Sequence, residues 1–227
     1  MKRLAQTIIV LAASWLVPMG LVSAATESEV VAGVQKTYEG LRDLTASFTQ
    51  ETFVSSAPDR KGPQGKGRLF LKKPGKMRWE FEGGMLFISD AKTVWQVDTE
   101  EGQVLIAPLA PETASITALN FLSGLGSLRK AFKTRLIPKD AAADRARGIF
   151  LELTPKLTTE AALQSMTIVV DPKSYLVVEA FVSDMYGNET HLTFSKLKTN
   201  AGHADALFSY QPKPGQDVID SREKSAF

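Results

Sequence analysis

The sequence predicts a mainly β fold with some α-helix. The expected form is one strongly curved antiparallel sheet, an incomplete barrel of about eleven strands, with short helices forming a lid over its concave apolar face. Three observations lead there. Short runs of alternating apolar and polar residues recur along the chain, most cleanly where Met77, Trp79 and Phe81 alternate with Lys76, Arg78 and Glu80. Turn signals punctuate them at Pro74-Gly75, Gly83-Gly84, Asp171-Pro172-Lys173-Ser174 and Tyr186-Gly187-Asn188. Helical spacing is confined to two regions, one near residue 35 and one near residue 120.

The chain opens with Lys2 and Arg3, an apolar run from Leu4 to Val22, and the small residues Ser23-Ala24-Ala25 before Glu27 and Glu29. That order is the order of a secretory signal peptide, expected over residues 1–24 with cleavage after Ala24 or one residue later. Residues 25–227 are then expected to form a single domain, long enough to bury one sizeable core without crosslinks.

Val30, Val34, Tyr38 and Leu41 recur at helical spacing and predict a helix over Glu29–Leu41. Leu44, Ala46 and Phe48 alternate and predict an extended segment reaching Val54. Ser55–Lys66, with Pro58, Gly62, Pro63 and Gly65, reads as a hairpin connection. Strands follow at Gly67–Leu71, Met77–Phe81, Met85–Ser89, Val94–Val97 and Gln103–Ala107. Two short helices are expected near Ser115–Leu122 and Leu125–Phe132, interrupted by Gly124 and Gly126. Strands resume at Thr134–Ile137, Gly148–Leu153, Leu163–Val170, Tyr175–Ser183 and Glu189–Leu197.

Charge and composition exclude several functions. Lys and Arg number 27 against 25 acidic residues, and loss of Lys2 and Arg3 brings the two into balance. A neutral domain lacks the basic surface a nucleic-acid backbone demands. The chain has no cysteine, which removes disulfides, zinc–thiolate sites, thiol catalysis and acylation of its own N-terminal cysteine. His191 and His203 stand in no metal-ligand spacing, and a surface or structural role is expected for each. There is no G-x-S-x-G element and no glycine-rich nucleotide loop. No catalytic, metal or cofactor site is expected, and the chain reads as a binding protein.

The candidate binding residues are apolar. Phe48, Phe70, Met77, Trp79, Phe87 and Trp95 are the expected cavity residues, and Ile116, Leu119, Phe121, Leu122 and Leu125 the expected lid. Strand alternation means that some of the six must face the other side of the sheet.

Several segments carry a resemblance. Leu44-Thr45-Ala46-Ser47-Phe48-Thr49-Gln50, the run from Gly67 to Glu80, and Ile88-Ser89-Asp90-Ala91-Lys92-Thr93-Val94-Trp95 resemble, in order, motifs of the periplasmic outer-membrane lipoprotein carrier family, the LolA chaperones. Leu153-Thr154-Pro155-Lys156 and Phe208 to Val218 resemble its two C-terminal markers. The resemblance implies a periplasmic, monomeric, non-enzymatic chaperone that binds the acyl chains of lipoproteins. It also implies two partners, an inner-membrane lipoprotein-releasing ABC transporter and an outer-membrane lipoprotein receptor.

Two departures stand out. Lys73 occupies the place of an arginine that in the family bonds to the lid, which implies a latch at Lys73 with fewer directional donors. Ala91 replaces a turn glycine, so a positive φ there would be strained. A carrier of free lipid or glycolipid, and a sensing or interaction domain with a filled interior, remain the alternatives. An esterase comes last, for want of a nucleophile–base pair.

Overall fold

In the computed structural model the described residues are 25–56, 61–109, 128–138, 146–156 and 163–222, without the side chains of residues 61 and 63. The expected signal peptide and most of the expected helical region near residue 120 lie outside them.

Helix α1 (Glu27–Gly40) opens the domain, two residues earlier than its apolar spacing predicts. Its start is set by a capping box: Thr26 Oγ1 accepts from Glu29 N at 3.3 Å, and Glu29 Oε2 accepts from Thr26 N at 2.8 Å. Strands follow as β1 (Asp43–Phe53), β2 (Lys61–Lys72), β3 (Lys76–Phe81), β4 (Met85–Ser89), β5 (Thr93–Asp98) and β6 (Gln103–Pro108). A one-turn helix α2 (Leu128–Ala131) leads into β7 (Phe132–Ile137), β8 (Ile149–Pro155), β9 (Leu163–Val170), β10 (Val177–Asp184) and β11 (Glu189–Thr199). A 3-10 turn at Asp205–Phe208 precedes a last strand, β12 (Asp217–Asp220).

All twelve strands form one sheet in the order β12-β6-β5-β4-β3-β2-β1-β11-β10-β9-β8-β7. Neighbours pair antiparallel except β12, which runs parallel to β6 with Val218 opposite Val104 and Ile219 opposite Leu105. The expected curved antiparallel sheet is therefore present, with one strand the alternation did not predict. Strand β2 also begins at Lys61 within the expected hairpin connection, and its pairing with β1 runs from Asp43↔Lys72 to Phe53↔Lys61. The long partner strand β1 supplies a template that overrides the turn-prone residues.

Ring distances show how tightly the sheet curls. Trp79 on β3 and Phe194 on β11 are separated by β2 and β1, so a flat sheet would hold their backbones about 14 Å apart. Their ring centroids are 6.3 Å apart. The row Phe48–Gly67–Phe81 explains part of this closeness. Gly67 has no side chain between the two rings, whose centroids lie 4.9 Å apart, and a Cβ there would fall 1.8 Å from Glu80 O.

Helix α1 lies on the concave face. Val30, Val31, Val34 and Tyr38 pack with Leu44, Leu69, Met77, Leu151, Ile168, Val177 and Leu192 in one buried core. The helix comes close to the sheet because Gly33 faces the Tyr175 ring, where a Cβ would be 2.5 Å away. Tyr38 Oη, fully buried, accepts from Val177 N at 3.0 Å, satisfying two buried polar groups with one bond.

A second core lies on the convex face. Ile88, Trp95, Val97, Val104 and Ile106 are buried there against Leu86 and Tyr210. They are covered by the segment after β11, which crosses the back of the sheet to reach β12. Asp43 anchors its start: Oδ1 accepts from Ala201 N at 2.6 Å and Oδ2 from Gly202 N at 2.9 Å. His203 Nε2 lies 2.6 Å from Thr45 Oγ1. Further along, Arg78 Nη1 donates to Leu207 O at 3.3 Å, and Lys72 and Lys76 pair with Asp205.

The β4–β5 turn contains Ala91 at φ 79°, so alanine does occupy the left-handed conformation in which glycine is at ease. Asp90 Oδ1 holds the turn by accepting from Lys92 N at 2.8 Å and Thr93 N at 2.7 Å. Replacing Ala91 by glycine relieves about 1–2 kcal/mol of strain and returns about 0.4–1 kcal/mol as unfolded-chain entropy. Ala91→Gly is thus expected to raise stability by up to about 1.6 kcal/mol in denaturant titration.

Opposite α1, on the convex side of β10 and β11, Glu179 accepts from Arg147 and from His191 Nε2 at 3.0 Å. The hydrogen bond from Arg147 holds its carboxyl below the usual range against the opposing effect of burial, with His191 adding to the lowering. A depressed folded value contributes stability at neutral pH that is lost as pH falls through it, below about pH 4. Glu179→Gln is expected to flatten this part of the acid limb of thermal stability measured against pH.

Candidate functional site

Pairing in the sheet assigns every apolar side chain of β1–β6 and β12 to one face or the other. The row Ala46–Leu69–Trp79–Phe87–Gln96–Leu105–Ile219 is concave, because Ala46 and Leu69 lie in the core under α1. A parallel row beside it runs Leu44–Leu71–Met77–Ser89–Val94–Ala107. The neighbouring row Thr45–Phe70–Arg78–Ile88–Trp95–Ile106 is convex.

Burial changes along the concave row. Leu69 is buried beneath α1, Trp79 and Phe87 are half-buried, and Leu105 and Ile219 are 41% and 60% exposed. Phe48 sits at the boundary, 2% exposed, with its ring 4.8 Å from Trp79 and 4.9 Å from Phe81 in edge-on contacts. Phe81 in turn meets Phe87 edge-on at 5.8 Å. One half of the concave face is therefore filled by α1, and the other is an apolar surface descending from a packed core to solvent. Gln96 is the polar member of the row and is exposed.

The space directly beneath α1 is small. A crevice with about 10 Å³ of enclosed space is lined by Tyr38, Leu44, Ala46, Leu69, Phe194 and Leu197 among others. That is below the roughly 300–1,000 Å³ of ordinary ligand pockets. The β3–β6 half of the face carries the half-buried and exposed apolar side chains instead.

Of the six expected cavity residues, Phe48, Met77, Trp79 and Phe87 share the concave face. Phe70 and Trp95 do not. Phe70 stands on the convex side between the Arg68 guanidinium and the His203 ring, and Trp95 is in the convex core with Tyr210. The reason is parity: each lies an odd number of residues from a concave position on its own strand, as Phe70 does from Leu69 and Leu71. Phe81, Leu105 and Ile219 belong to the concave surface and were not among the expected cavity residues. For Phe81 the signal was present, since it continues the alternation of Met77 and Trp79. The expected lid residues Ile116, Leu119, Phe121, Leu122 and Leu125 lie outside the described residues.

Lys73, the expected latch, sends Nζ to Glu39 O at 2.9 Å, at the C-terminal end of α1. The last turn of α1 contains no basic residue, so Lys73 supplies from β2's end the positive charge that favours a helix C-terminus. Burial lowers its ammonium pKa, and the Glu39 carboxylate opposes that lowering. Among the described residues no group of His, Cys, Asp and Glu has metal-holding geometry, and no helix is long and apolar enough to cross a membrane.

The family model described as "Outer membrane lipoprotein carrier protein LolA" matches residues 39–211. An outer-membrane lipoprotein carrier protein of Coxiella burnetii is 28% identical over 203 residues, covering 88% of this chain and 90% of that one. One from Dechloromonas aromatica is 30% identical over 181 residues, covering 78% and 81%. Among solved structures, an uncharacterized conserved protein from Thermus thermophilus superposes with a TM-score of 0.52 at 14% identity, covering 85% of this chain and 98% of that one, a likeness of fold.

Proposed function

The chain belongs to the outer-membrane lipoprotein carrier family, the LolA proteins, and from that premise we propose that it is a periplasmic, non-enzymatic chaperone for acylated lipoproteins. It binds their acyl chains on the open concave half of its sheet and carries them between an inner-membrane releasing transporter of the ABC class and an outer-membrane receptor. The observation that carries the reading is the concave row Trp79–Phe87–Leu105–Ile219, apolar at each of these positions and progressively exposed away from α1.

The physical task is to move fatty chains through water. Each methylene withdrawn from water contributes about 0.8 kcal/mol, so two or three chains contribute on the order of 30 kcal/mol as an upper estimate. Escape from a membrane without an apolar acceptor is correspondingly slow. A surface already built from Trp79, Phe81, Phe87 and Leu105 replaces the membrane contact. Partial exposure of those side chains makes the exchange reversible, since little native packing must be broken to admit a chain. The segment bearing Ile116, Leu119, Phe121, Leu122 and Leu125 is proposed as the cover and Lys73 as its latch. Energy for extracting the chains comes from the transporter.

Mass spectrometry of material crosslinked to the protein in its native compartment tests this reading. Acylated proteins among the adducts are the expected result. Phospholipid or glycolipid as the sole adduct would replace lipoprotein by free lipid as cargo, and no lipid-bearing adduct would reject the carrier reading.

A further inference from the structure

Among the described residues the concave row ends on β12, which is the last strand of the sheet. All four of its residues are exposed. Asp217 N donates to Gly102 O and Ser221 N to Ile106 O, both at 2.9 Å, so residues 217, 219 and 221 turn their amides toward β6. By alternation, the N–H and C=O groups of Val218 and Asp220 point away from the sheet. These groups form a template for one more strand, of the kind that sheet edges offer to extended peptides. At the opposite end, β7 is braced by α1, where Thr134 Oγ1 donates to Glu27 Oε1 at 2.6 Å.

We propose that the free edge of β12 pairs with the extended polypeptide segment that follows the acylated residue of the cargo, adding it as a thirteenth strand. The inference rests on the acyl-carrier reading and deepens it by giving the protein part of the cargo its own subsite. A chain lying along Trp79, Phe87 and Leu105 leaves the sheet past Ile219, so the attached polypeptide emerges beside the outward amides of β12. Backbone pairing reads no side chains, which suits a carrier whose cargoes share an acylated end and differ beyond it.

Charge disfavours a second copy of this chain as the occupant. Antiparallel self-pairing through the outward residues would set Val218 opposite Asp220 and bring the Asp217 and Asp220 carboxylates of both copies to one short seam. The same two carboxylates favour a neutral or basic peptide.

Val218→Pro tests the edge itself. The amide it removes points outward, so no bond to β6 is lost, and an outward-facing amide on an edge strand is where a sheet tolerates proline. Three probes are measured on the parent and on the variant: a fluorescent fatty acid, a diacylated lipopeptide with a short extended tail, and the same lipopeptide with N-methylated tail amides. Circular dichroism checks the fold. The expected result is that the variant binds the fatty acid as the parent does but binds the lipopeptide roughly tenfold more weakly, because the Val218 N–H bond is lost and the proline ring crowds the adjoining strand. The N-methylated lipopeptide binds the parent and the variant alike, at that weaker level. Equal affinity of parent and variant for the unmethylated lipopeptide would overturn the inference while leaving acyl binding intact. No uptake of the fatty acid or the lipopeptide by the parent would overturn the carrier reading, and this inference with it.

Discussion

Phe87→Glu is expected to weaken binding of an acylated peptide by tenfold or more while the protein stays folded, whereas Trp95→Ala is expected to do the reverse. Phe87 is half-buried on the open concave surface beside Trp79 and Phe81. A carboxylate there meets incoming methylenes with a charge that must be desolvated, and a loss of about 1.4 kcal/mol already weakens affinity tenfold. Little native packing is lost, because the ring already borders solvent. Trp95 is buried in the convex core with Ile88, Val97, Val104 and Ile106. Its truncation opens a cavity and costs about 3–5 kcal/mol, a large share of the roughly 5–15 kcal/mol that holds a domain together. The variant's folded fraction should bind acyl chains with parental affinity. Lipopeptide titration at a temperature where both variants are folded, beside denaturant unfolding, separates the two effects. Equal binding losses in the two variants would mean that the face assignment has no functional meaning.

Asp43→Ala is expected to lower stability by about 3 kcal/mol and to loosen the segment that covers the convex core. The Asp43 side chain is 3% exposed and its oxygens accept from Ala201 N and Gly202 N. Removing the carboxylate strands two amides in a place water scarcely reaches, and each such loss costs about 1–3 kcal/mol. Those two bonds fix the point where the chain leaves β11 and turns across the back of the sheet, so the disturbance extends along residues 201–210. Hydrogen exchange should show faster labelling there than in β1, and thermal unfolding should show the stability loss. Asp43→Asn, which keeps one acceptor oxygen, should lie between the parent and Asp43→Ala.

The contrast between Phe87 and Trp95 also shows what the sequence could and could not disclose. Alternation located the strands, because Met77, Trp79 and Phe81 leave the polar positions between them to the other face. On β4–β6 that clue disappears. Both faces there carry apolar side chains, with Phe87 and Leu105 on the concave side and Ile88, Trp95 and Ile106 on the convex side. Strands that are apolar on both faces offer little polar phase to read, so Trp95 was indistinguishable from Phe87. What covers the convex side is the segment from His203 to Tyr210, some hundred residues further along the chain, and no local pattern announces its destination.

β12 was illegible for a related reason. Asp-Val-Ile-Asp is too short for periodicity and follows Pro212, Pro214 and Gly215, which read as loop. Its strand character comes from parallel pairing with β6, a long-range contact. The beginning of β2 is similar, held extended by β1 despite its glycines. Ala91 is the opposite case. A single residue at a turn position, set against the glycine of the resembled family, foretold a strained φ that the structure contains. Lys73 was expected to hold a lid whose residues lie outside the described ones, and its Nζ bonds to Glu39 O at the end of α1.

A lipopeptide with a photoreactive group near the end of one acyl chain tests directly where fatty chains rest. After irradiation and digestion, adducts are expected on Trp79, Phe81, Phe87 and Leu105 and not on Phe70 or Trp95. Adducts concentrated on the convex residues, or none above those formed with a photoreactive peptide lacking acyl chains, would contradict the account.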